Sequence, residues 1–544
     1  MTKSVSSAPE RARIHPAGAL IEAWRELGGE GAPLGAIPGV AEIVSLDLPE
    51  IVAQLDSNAI AARIAEWRTA SPALNAVLLQ NTPPAHALRR FGLTHWTAGN
   101  PRAASIVLAT AAALAPNDAP LWLDLGFTLH AVGDAAQAQS ALERALALDP
   151  SPARGWLGLA LAARDLANTV RAEEAFKAAL ACDASLSEAA FGVGLLCFEQ
   201  RRHPEAAAHW RHAIAHGCRN PLIYAGLGQS LFFAGDFAGA ANALERQIAS
   251  GQADPRMVDR FALSRFLTVA IRGDLDAAFA AYHEAAGPSA DEAQMANSAF
   301  KILAGYGHPE AALRLARSPR AKIPDDPEHR YLIEAVAGAA LDRAPAEYVI
   351  AHFDGFAERF DKQLVEVLGY RVPETLARLI AATRKSLPRA LDLGCGTGLA
   401  GLHLRAGRSR LVGVDLSPRM LSKAADRQLY DSLVEADMIG FLETTTEQFD
   451  LVLAADAVIY LGDLDGFLSG AARVTRAGGL VAFNIETTAM APYVLLSSGR
   501  FAHEIEALRA KAAAWFEVTR VEPAILRTEG PGRVQGALIL LERR

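Results

Sequence analysis

The 544-residue chain is 51% apolar and 21% charged, with a formal net charge of −8 and a pI near 6.0. This length predicts more than one domain, on a rough prior of 100–200 residues each, and the apolar content excludes a chain that is disordered overall. Because phosphate binding needs clustered Lys and Arg, the acidic balance gives no reason to expect a nucleic-acid partner.

The cysteines predict neither a metal site nor a disulfide framework. The chain has four cysteines: Cys182, Cys197, Cys218 and Cys395. No two of them have C-x-x-C spacing, and no paired histidines lie near them. Such a pattern is typical of free thiols in a reducing compartment. Residues 1–16 lack the apolar segment of a signal peptide, and no run of about 18 apolar residues follows. We therefore expect a cytoplasmic protein without a membrane span.

The first 84 residues predict a disordered start and a helical leader. Residues 1–14 are rich in Ser, Pro and charge, a composition typical of disorder. Residues 17–27 and 48–67 carry helical spacing of apolar residues, joined by a segment rich in Gly and Pro. No function can be inferred for this leader.

A 34-residue period organises the chain from about residue 85. One copy follows the pattern W-x2-L-G-x2-Y…A-x3-F…P through Trp122, Leu125, Gly126, Leu129, Ala138, Leu142, Ala145 and Pro150. Shifts of 34 residues place four further copies in phase, near residues 88, 156, 190 and 224. The pattern resembles tetratricopeptide repeats, whose helix pairs stack because one pair cannot bury its own face. We predict an all-α solenoid over 85–342, with about two degenerate repeats after residue 255 and a final helix near 328–341.

The resemblance implies that the repeats bind a protein or peptide in their groove. It is a likeness of fold, which does not by itself define a function. Repeats that only hold the protein together, for instance as a homo-oligomer, are the alternative.

A second pattern is built around Leu391–Gly398, which reads LDLGCGTG. Three glycines at alternate positions after an apolar run predict a buried strand that turns sharply into a helix, where a ligand can approach the backbone closely. Residues 396–401 also satisfy the dinucleotide pattern G-x-G-x-x-G, but Asp392 inside the strand would repel a pyrophosphate. The stretch resembles motif I of the class I S-adenosylmethionine-dependent methyltransferases.

Strands and helices alternate beyond Tyr348, as a doubly wound parallel sheet requires. A short linker at 342–346 therefore leads to a Rossmann-like, seven-stranded methyltransferase domain over 347–544, as the resemblance implies. The last strand is expected to be antiparallel. The predicted strands are Ala390–Leu393, Leu411–Asp415, Leu433–Ala436, Asp450–Ala455, Leu480–Ile485, Glu517–Val521 and Ala537–Leu541.

The resemblance implies S-adenosylmethionine as the cofactor. Asp415, at the end of the second strand, would accept hydrogen bonds from the ribose hydroxyls, and Asp437 would accept one from the adenine amino group. Residues 353–361 resemble the lid helix of small-molecule methyltransferases, although Phe356 replaces a tyrosine and leaves only packing or a cation–π contact with the sulfonium. The predicted cofactor-binding residues are Phe356, Phe360, Arg371, Asp392, Gly394, Cys395, Gly396, Thr397, Gly398, Asp415, Leu416, Met420, Ala436, Asp437, Met438 and Ala455.

The sequence says least about the methyl acceptor. No Asn-Pro-Pro-Tyr follows the fourth strand, which argues against that route of N-methylation of amides or bases, and no Cys pair suggests C5 chemistry on pyrimidines. An O or N acceptor stays open, with Asp456, Glu486 or His503 as the candidate base; only the histidine ordinarily titrates near neutral pH.

Similarity to predicted methyltransferases that carry tetratricopeptide repeats extends over roughly residues 85–544. It implies an enzyme whose repeats recruit a protein or carrier-presented substrate. A small-molecule methyltransferase assembled by its repeats, and a scaffold that has lost catalysis, are the alternatives.

Overall fold

The computed structural model describes residues 84–362, 364, 369–383, 385–490, 492–529 and 532–544. The predicted disordered start and leader, up to residue 83, lie outside the described residues. The chain divides into two compact units between Ile223 and Tyr224, and each unit is described by itself. Within the described ranges, no helix has the length and apolar character needed to cross a membrane.

The described part of the first unit consists of antiparallel helix pairs, as the 34-residue period predicts. In one pair, a Cβ atom on Gly126 would lie 2.4 Å from the buried Leu142 side chain of the neighbouring helix. Glycine is therefore what lets these two backbones approach so closely. The described helices of this unit are α1 (Pro84–Thr97), α2 (Pro101–Leu114), α3 (Ala119–Ala131), α4 (Ala135–Leu148), α5 (Ala153–Asp165), α6 (Thr169–Cys182), α7 (Ser187–Glu199) and α8 (His203–Ala215).

The second unit begins with more helices of the same kind. Aspartates cap several of them: the carboxylates of Asp236, Asp254 and Asp274 each accept a backbone N–H of the first turn, which satisfies an otherwise unpaired donor. The described helices before the sheet are α9 (Ile223–Phe233), α10 (Phe237–Ala249), α11 (Pro255–Ile271), α12 (Leu275–Ala286), α13 (Glu292–Gly305), α14 (Pro309–Ala316), α15 (Pro327–Val336), α16 (Ala346–Phe356) and α17 (Val372–Ala382).

A mixed sheet follows, and it contains all seven predicted strands and two further short ones. The order is β3-β2-β1-β4-β5, with β9 antiparallel to β5 and to β8. The unpredicted strands β6 and β7 form a hairpin that pairs with the end of β5. The described strands are β1 (Arg389–Leu393), β2 (Arg410–Asp415), β3 (Ser432–Glu435), β4 (Phe449–Ala454), β5 (Thr475–Thr487), β6 (Tyr493–Leu495), β7 (Phe501–His503), β8 (Phe516–Glu529) and β9 (Gly532–Arg543).

Helices cover both faces of this sheet. On one face α20 (Met438–Thr444), α21 (Asp465–Val474) and α22 (Ile505–Ala512) bury side chains such as Phe467. On the other face α17 and α18 (Gly401–Leu404) contribute Leu376 and Leu404. A further helix, α19 (Pro418–Asp426), follows β2. Because strands β1 to β5 are parallel, their carboxyl ends lie at the same edge of the sheet, which is where open α/β sheets bind ligands.

Candidate cofactor and acceptor site

The glycine turn after β1 is held by one carboxylate. Gly394, Gly396 and Gly398 have φ values of 66°, 55° and 85°, which side chains other than glycine rarely adopt. Asp415 accepts the Gly396 N–H at 2.8 Å and the Ser417 N–H at 2.9 Å. Burial raises the pKa of the Asp415 carboxyl. The acid that was predicted to bind a ribose thus also fixes the turn.

A cavity of about 450 Å³ opens beside this turn, within the range of about 300–1,000 Å³ typical of small-molecule sites. It lies wholly in the second unit. Fourteen residues of the predicted cofactor and base sets line it: Phe356, Phe360, Asp392, Gly394, Cys395, Gly396, Thr397, Asp415, Leu416, Ala436, Asp437, Met438, Ala455 and Asp456.

Three predicted cofactor residues do not line this cavity. The Arg371 side chain is 78% exposed and pairs with Glu374. Met420 is buried inside α19, and a Cβ on Gly398 would face Tyr430 instead of the cavity. Gly398 therefore shapes the turn, and the direct cofactor contacts predicted for these three positions are not supported.

Two of the three candidate bases also lie outside the cavity wall. His503 is buried, and its Nε2 lies 3.2 Å from the Gly462 carbonyl oxygen. Glu486 is buried behind the wall, where it pairs with Arg527 and Arg500. Of the three, only Asp456 lines the cavity.

Acidic residues of the lid fasten it to the rest of the site. Asp354 accepts the Ser417 hydroxyl at 2.6 Å, and Glu358 pairs with Lys423 at 2.8 Å. The third acid, Asp361, accepts from the Thr397 hydroxyl and pairs with Arg427, which also donates to the Thr397 carbonyl oxygen. Phe353 and Phe360, 6.1 Å apart between ring centroids, then form an apolar wall of the cavity.

Asp392 offers a buried acceptor to a ligand. The Tyr430 hydroxyl donates to one of its carboxylate oxygens at 2.6 Å, and the other oxygen has no hydrogen-bond partner among the described residues. Burial raises the pKa of this carboxyl to about 7. Because unpartnered buried acceptors are costly, this oxygen suits a ligand that brings a donor, such as an ammonium group.

A charged cluster forms another part of the cavity wall. Asp456 has an unusual φ of 56° and exchanges two hydrogen bonds of 2.7 Å with Asn484. Arg527, only 5% exposed, lies 3.5 Å from Asp456 and pairs with Glu486. Arg500 lies 3.5 Å from the same Glu486. The buried Arg527 and the partly buried Arg500 therefore line the cavity, with two carboxylates as counter-ions.

Most residues of this charged cluster could not be predicted from the sequence. Arg500 lies three residues before His503, directly before β7. Because residues two apart on a strand share a face, His503 lies on the same side of β7 as the buried Phe501. Arg527 lies in a strand whose full length was not predicted. The missed polar and aromatic lining residues are Arg343, His352, Tyr370, Tyr460, Arg500 and Arg527.

The buried His503 predicts a loss of stability in mild acid. Burial lowers its pKa from 6.5 to about 4, so the unfolded chain binds a proton between these pH values and the folded chain does not. Stability should therefore fall as pH drops from 6.5 to 4, by about 3 kcal/mol at 1.36 kcal/mol per unit. Hydrogen exchange of β7 peptides in urea, measured from pH 7 to 4, checks this. In His503→Gln the pH dependence should be smaller; an unchanged slope contradicts the prediction.

Comparison with known proteins identifies the two kinds of domain. Residues 391–483 match the methyltransferase domain family, and residues 119–162 match the tetratricopeptide repeat family. The chain thus contains a segment that matches the methyltransferase domain family and one that matches the tetratricopeptide repeat family, as the resemblance predicted.

Three proteins illustrate the similarity. A malonyl-(acyl-carrier protein) O-methyltransferase of Salmonella typhimurium is 39% identical over 107 residues, 20% of this chain and 42% of that protein. An 18S rRNA (guanine-N(7))-methyltransferase of Bos taurus is 38% identical over 71 residues, 13% of this chain and 25% of that protein. The crystal structure of magnesium protoporphyrin IX methyltransferase from Synechocystis PCC 6803 with bound SAM is 16% identical, covers 38% of this chain and 99% of that one, and has a TM-score of 0.30. The chain spans about two fifths of the first relative's length.

The residues of the cavity fit S-adenosylmethionine. When bound, the cofactor supplies an electrophilic methyl group on a sulfonium. Its ammonium matches the open oxygen of Asp392. Gly396 leaves space that a side chain would fill, since a Cβ atom at this position would have its nearest neighbour 3.9 Å away, on the Phe360 ring. Phe356 and Phe360 present aromatic rings, which attract a cation.

Proposed function

We propose that this protein transfers a methyl group from S-adenosylmethionine to a carboxylate oxygen of an acceptor presented by a protein carrier. The observation that carries the proposal is a pair of arginines, the buried Arg527 and the partly buried Arg500, in the wall of the cavity that also contains the glycine turn. Guanidinium groups recognise carboxylates with two parallel hydrogen bonds. In this reaction a carboxylate oxygen forms a bond to the methyl carbon, the carbon–sulfur bond breaks, and no proton has to be removed.

The carboxylates behind the arginines support this role. Glu486, on β5, contacts Arg527 and lies 3.5 Å from Arg500, so it holds both side chains at the wall and limits their rotamers. A preorganised pair of donors loses less entropy when an acceptor binds. The acceptor carboxylate would then be oriented for attack on the methyl group, at a separation of about 3–3.5 Å.

Two observations favour an acceptor carried by a protein. The Salmonella relative is named for a malonyl group on an acyl-carrier protein, and a helical array of this length is far larger than a small metabolite needs. Remote binding energy from the repeats can orient a large substrate at the reacting atoms. Repeats that serve only assembly, for instance into a homo-oligomer, are the alternative role.

Asp456 supports a second candidate, a hydroxyl or amine acceptor that gives up a proton. Its carboxylate lines the cavity, and its backbone adopts a rare conformation of the kind that clusters at active sites. A base within hydrogen-bond reach of such an acceptor would remove its proton during transfer.

The chemistry of the product separates these candidates. Full-length protein, tritiated S-adenosylmethionine and malonyl-loaded acyl-carrier protein should give label that alkali releases as volatile methanol, because methyl esters hydrolyse in base. Acetyl-loaded carrier, which lacks the free carboxylate, is the matched control and should stay unlabelled. Label that resists alkali would favour the hydroxyl or amine acceptor instead.

Two variants refine the test. Arg500→Gln should lower transfer to the malonyl carrier about 10- to 100-fold, as expected for loss of a charge-assisted bond of about 1.5–3 kcal/mol. Asp456→Asn should change it little if the acceptor is a carboxylate. A larger loss in Asp456→Asn than in Arg500→Gln would contradict the carboxylate proposal.

The predicted boundary between the repeats and the methyltransferase domain, at residues 342–347, stays a proposal. Its position decides which form of the protein these assays should use. Arg343 and Ala344 line the cavity, and the Ala344 N–H donates to the Tyr460 carbonyl oxygen at 2.9 Å. A fragment that begins at residue 347 would lose this part of the wall. The assays therefore use the full chain.

A further inference from the structure

Helix α15, the last helix before the lid, contacts two separate parts of the cavity wall. Its Tyr331 hydroxyl donates to the Gly499 carbonyl oxygen at 2.9 Å, and the side chain is only 1% exposed. One turn earlier, Glu328 accepts from His352 Nδ1 at 3.3 Å. Gly499 directly precedes Arg500, and both Arg500 and His352 line the cavity.

The contact at Gly499 is tight. A Cβ on this glycine would lie 3.1 Å from the Tyr331 ring, 3.1 Å from Leu332 and 3.3 Å from the Tyr348 hydroxyl. Gly499 also has a φ of 77°, which glycine adopts without strain. The turn between β6 and β7 is therefore seated on α15 by a buried hydrogen bond and by close packing.

The turn determines where Arg500 stands. The Leu496 N–H donates to the Arg500 carbonyl oxygen at 2.8 Å, and the Gly499 N–H donates to the Leu496 carbonyl oxygen at 2.9 Å. The backbone of Arg500 is thus tied to the same small turn that Tyr331 holds from outside. A shift of the turn moves the guanidinium at the cavity wall.

The contact at His352 acts on the lid side. Lys301 of α13 pairs with Glu328 at 3.1 Å, so the carboxylate is fixed by one helix while it holds the imidazole of another. The His352 ring also stacks on Tyr348, with ring centroids 5.6 Å apart, and its centroid lies 6.3 Å from that of Phe356, a predicted cofactor-binding residue. Glu328 therefore restricts the orientation of a side chain that directly precedes the lid and lines the cavity.

We propose that α15 is a positioning element of the acceptor site, in which Tyr331 fixes the turn that carries Arg500 and Glu328 fixes His352. The inference rests on the proposed function, because it assigns Arg500 to acceptor binding. It makes the end of the helical array a working part of the active site, which a fragment without α15 would lack.

The substitution Tyr331→Phe tests the first contact by removing one oxygen atom and leaving the ring in place. The buried Gly499 carbonyl then loses its donor, and the turn should open more often, by about five- to tenfold, as expected for one neutral hydrogen bond. Hydrogen exchange in peptides covering 496–503 of the full-length protein should accelerate by this factor. Peptides of β4 should be unchanged.

The matched control is Tyr306→Phe. The Tyr306 hydroxyl also donates to a backbone carbonyl oxygen, that of Phe233, at 3.4 Å, but it does not line the cavity. Exchange in 496–503 should stay at the wild-type rate in this variant. Equal exchange in Tyr331→Phe and wild type overturns the positioning role, whatever the acceptor is.

Steady-state kinetics with malonyl-loaded acyl-carrier protein test the effect of Tyr331 on activity. In Tyr331→Phe, kcat/KM for this acceptor should fall about five- to tenfold, while calorimetry should show an unchanged Kd for S-adenosylhomocysteine. Equal losses for acceptor and cofactor would indicate a general structural defect and overturn the proposal. If wild type does not methylate this carrier, the proposed acceptor fails, and the exchange measurement still decides the role of Tyr331.

Discussion

Asp415→Ala is expected to weaken the binding of S-adenosylmethionine by about 2–4 kcal/mol, or roughly 30- to 1,000-fold. A carboxylate that accepts from both ribose hydroxyls makes two charge-assisted hydrogen bonds of about 1.5–3 kcal/mol each, and such contributions do not add fully. The structure adds a second cause, because Asp415 also accepts the N–H groups of Gly396 and Ser417. Its removal therefore loosens the turn that the cofactor contacts.

Calorimetry with S-adenosylmethionine and with S-adenosylhomocysteine measures this loss. Asp431→Ala is the matched control, because Asp431 also accepts a backbone N–H, that of Leu411, and pairs with Arg405, but lies outside the cavity. It should bind the cofactor with nearly wild-type affinity. A similar loss in both variants would mean that general destabilisation, and not a ribose contact, explains the effect at Asp415. Tighter binding of NAD than of S-adenosylmethionine would contradict the cofactor assignment.

Arg527→Met is expected to destabilise the sheet domain by about 3–5 kcal/mol. Arg527 and Glu486 are 5% and 6% exposed, and removal of one partner leaves the other charge buried with less compensation. Arg500 remains 3.5 Å from Glu486, so we expect the lower end of this range. Methionine keeps most of the apolar stem, so that the loss reports mainly on charge.

The double variant Glu486→Gln with Arg527→Met separates charge from packing. Because it removes both charges of this pair, it should recover part of the stability that Arg527→Met loses, although Arg500 then faces a neutral amide in place of the Glu486 carboxylate. Hydrogen exchange of β5 peptides in increasing urea measures both variants. A double variant as unstable as the single one would show that packing, and not the unpaired carboxylate, dominates.

The sequence by itself was sufficient to predict the repeats and one wall of the cavity. The helix pairs follow from local rules: small residues such as Gly126 recur where two helices must approach, and the period counts the residues of one pair. The part of the cavity around the glycine turn could be predicted because residues near each other along the chain form it. Gly394, Gly396 and Asp392 belong to one strand and turn, and Asp415 ends the next parallel strand.

Only the tertiary structure decided which residues complete the cavity. Arg527 comes from the antiparallel strand β8, Arg500 from the turn between β6 and β7, and His352 from α16, and no spacing along the chain relates them. Their roles depend on long-range contacts, such as that of Arg527 with Glu486 and of Tyr331 with Gly499. The alternation of side chains along β7 likewise places His503 in the core, whereas Arg500, directly before this strand, lines the cavity. A turn and its flanking strand place their own residues locally, whereas a wall assembled from three distant segments exists only after the chain has packed.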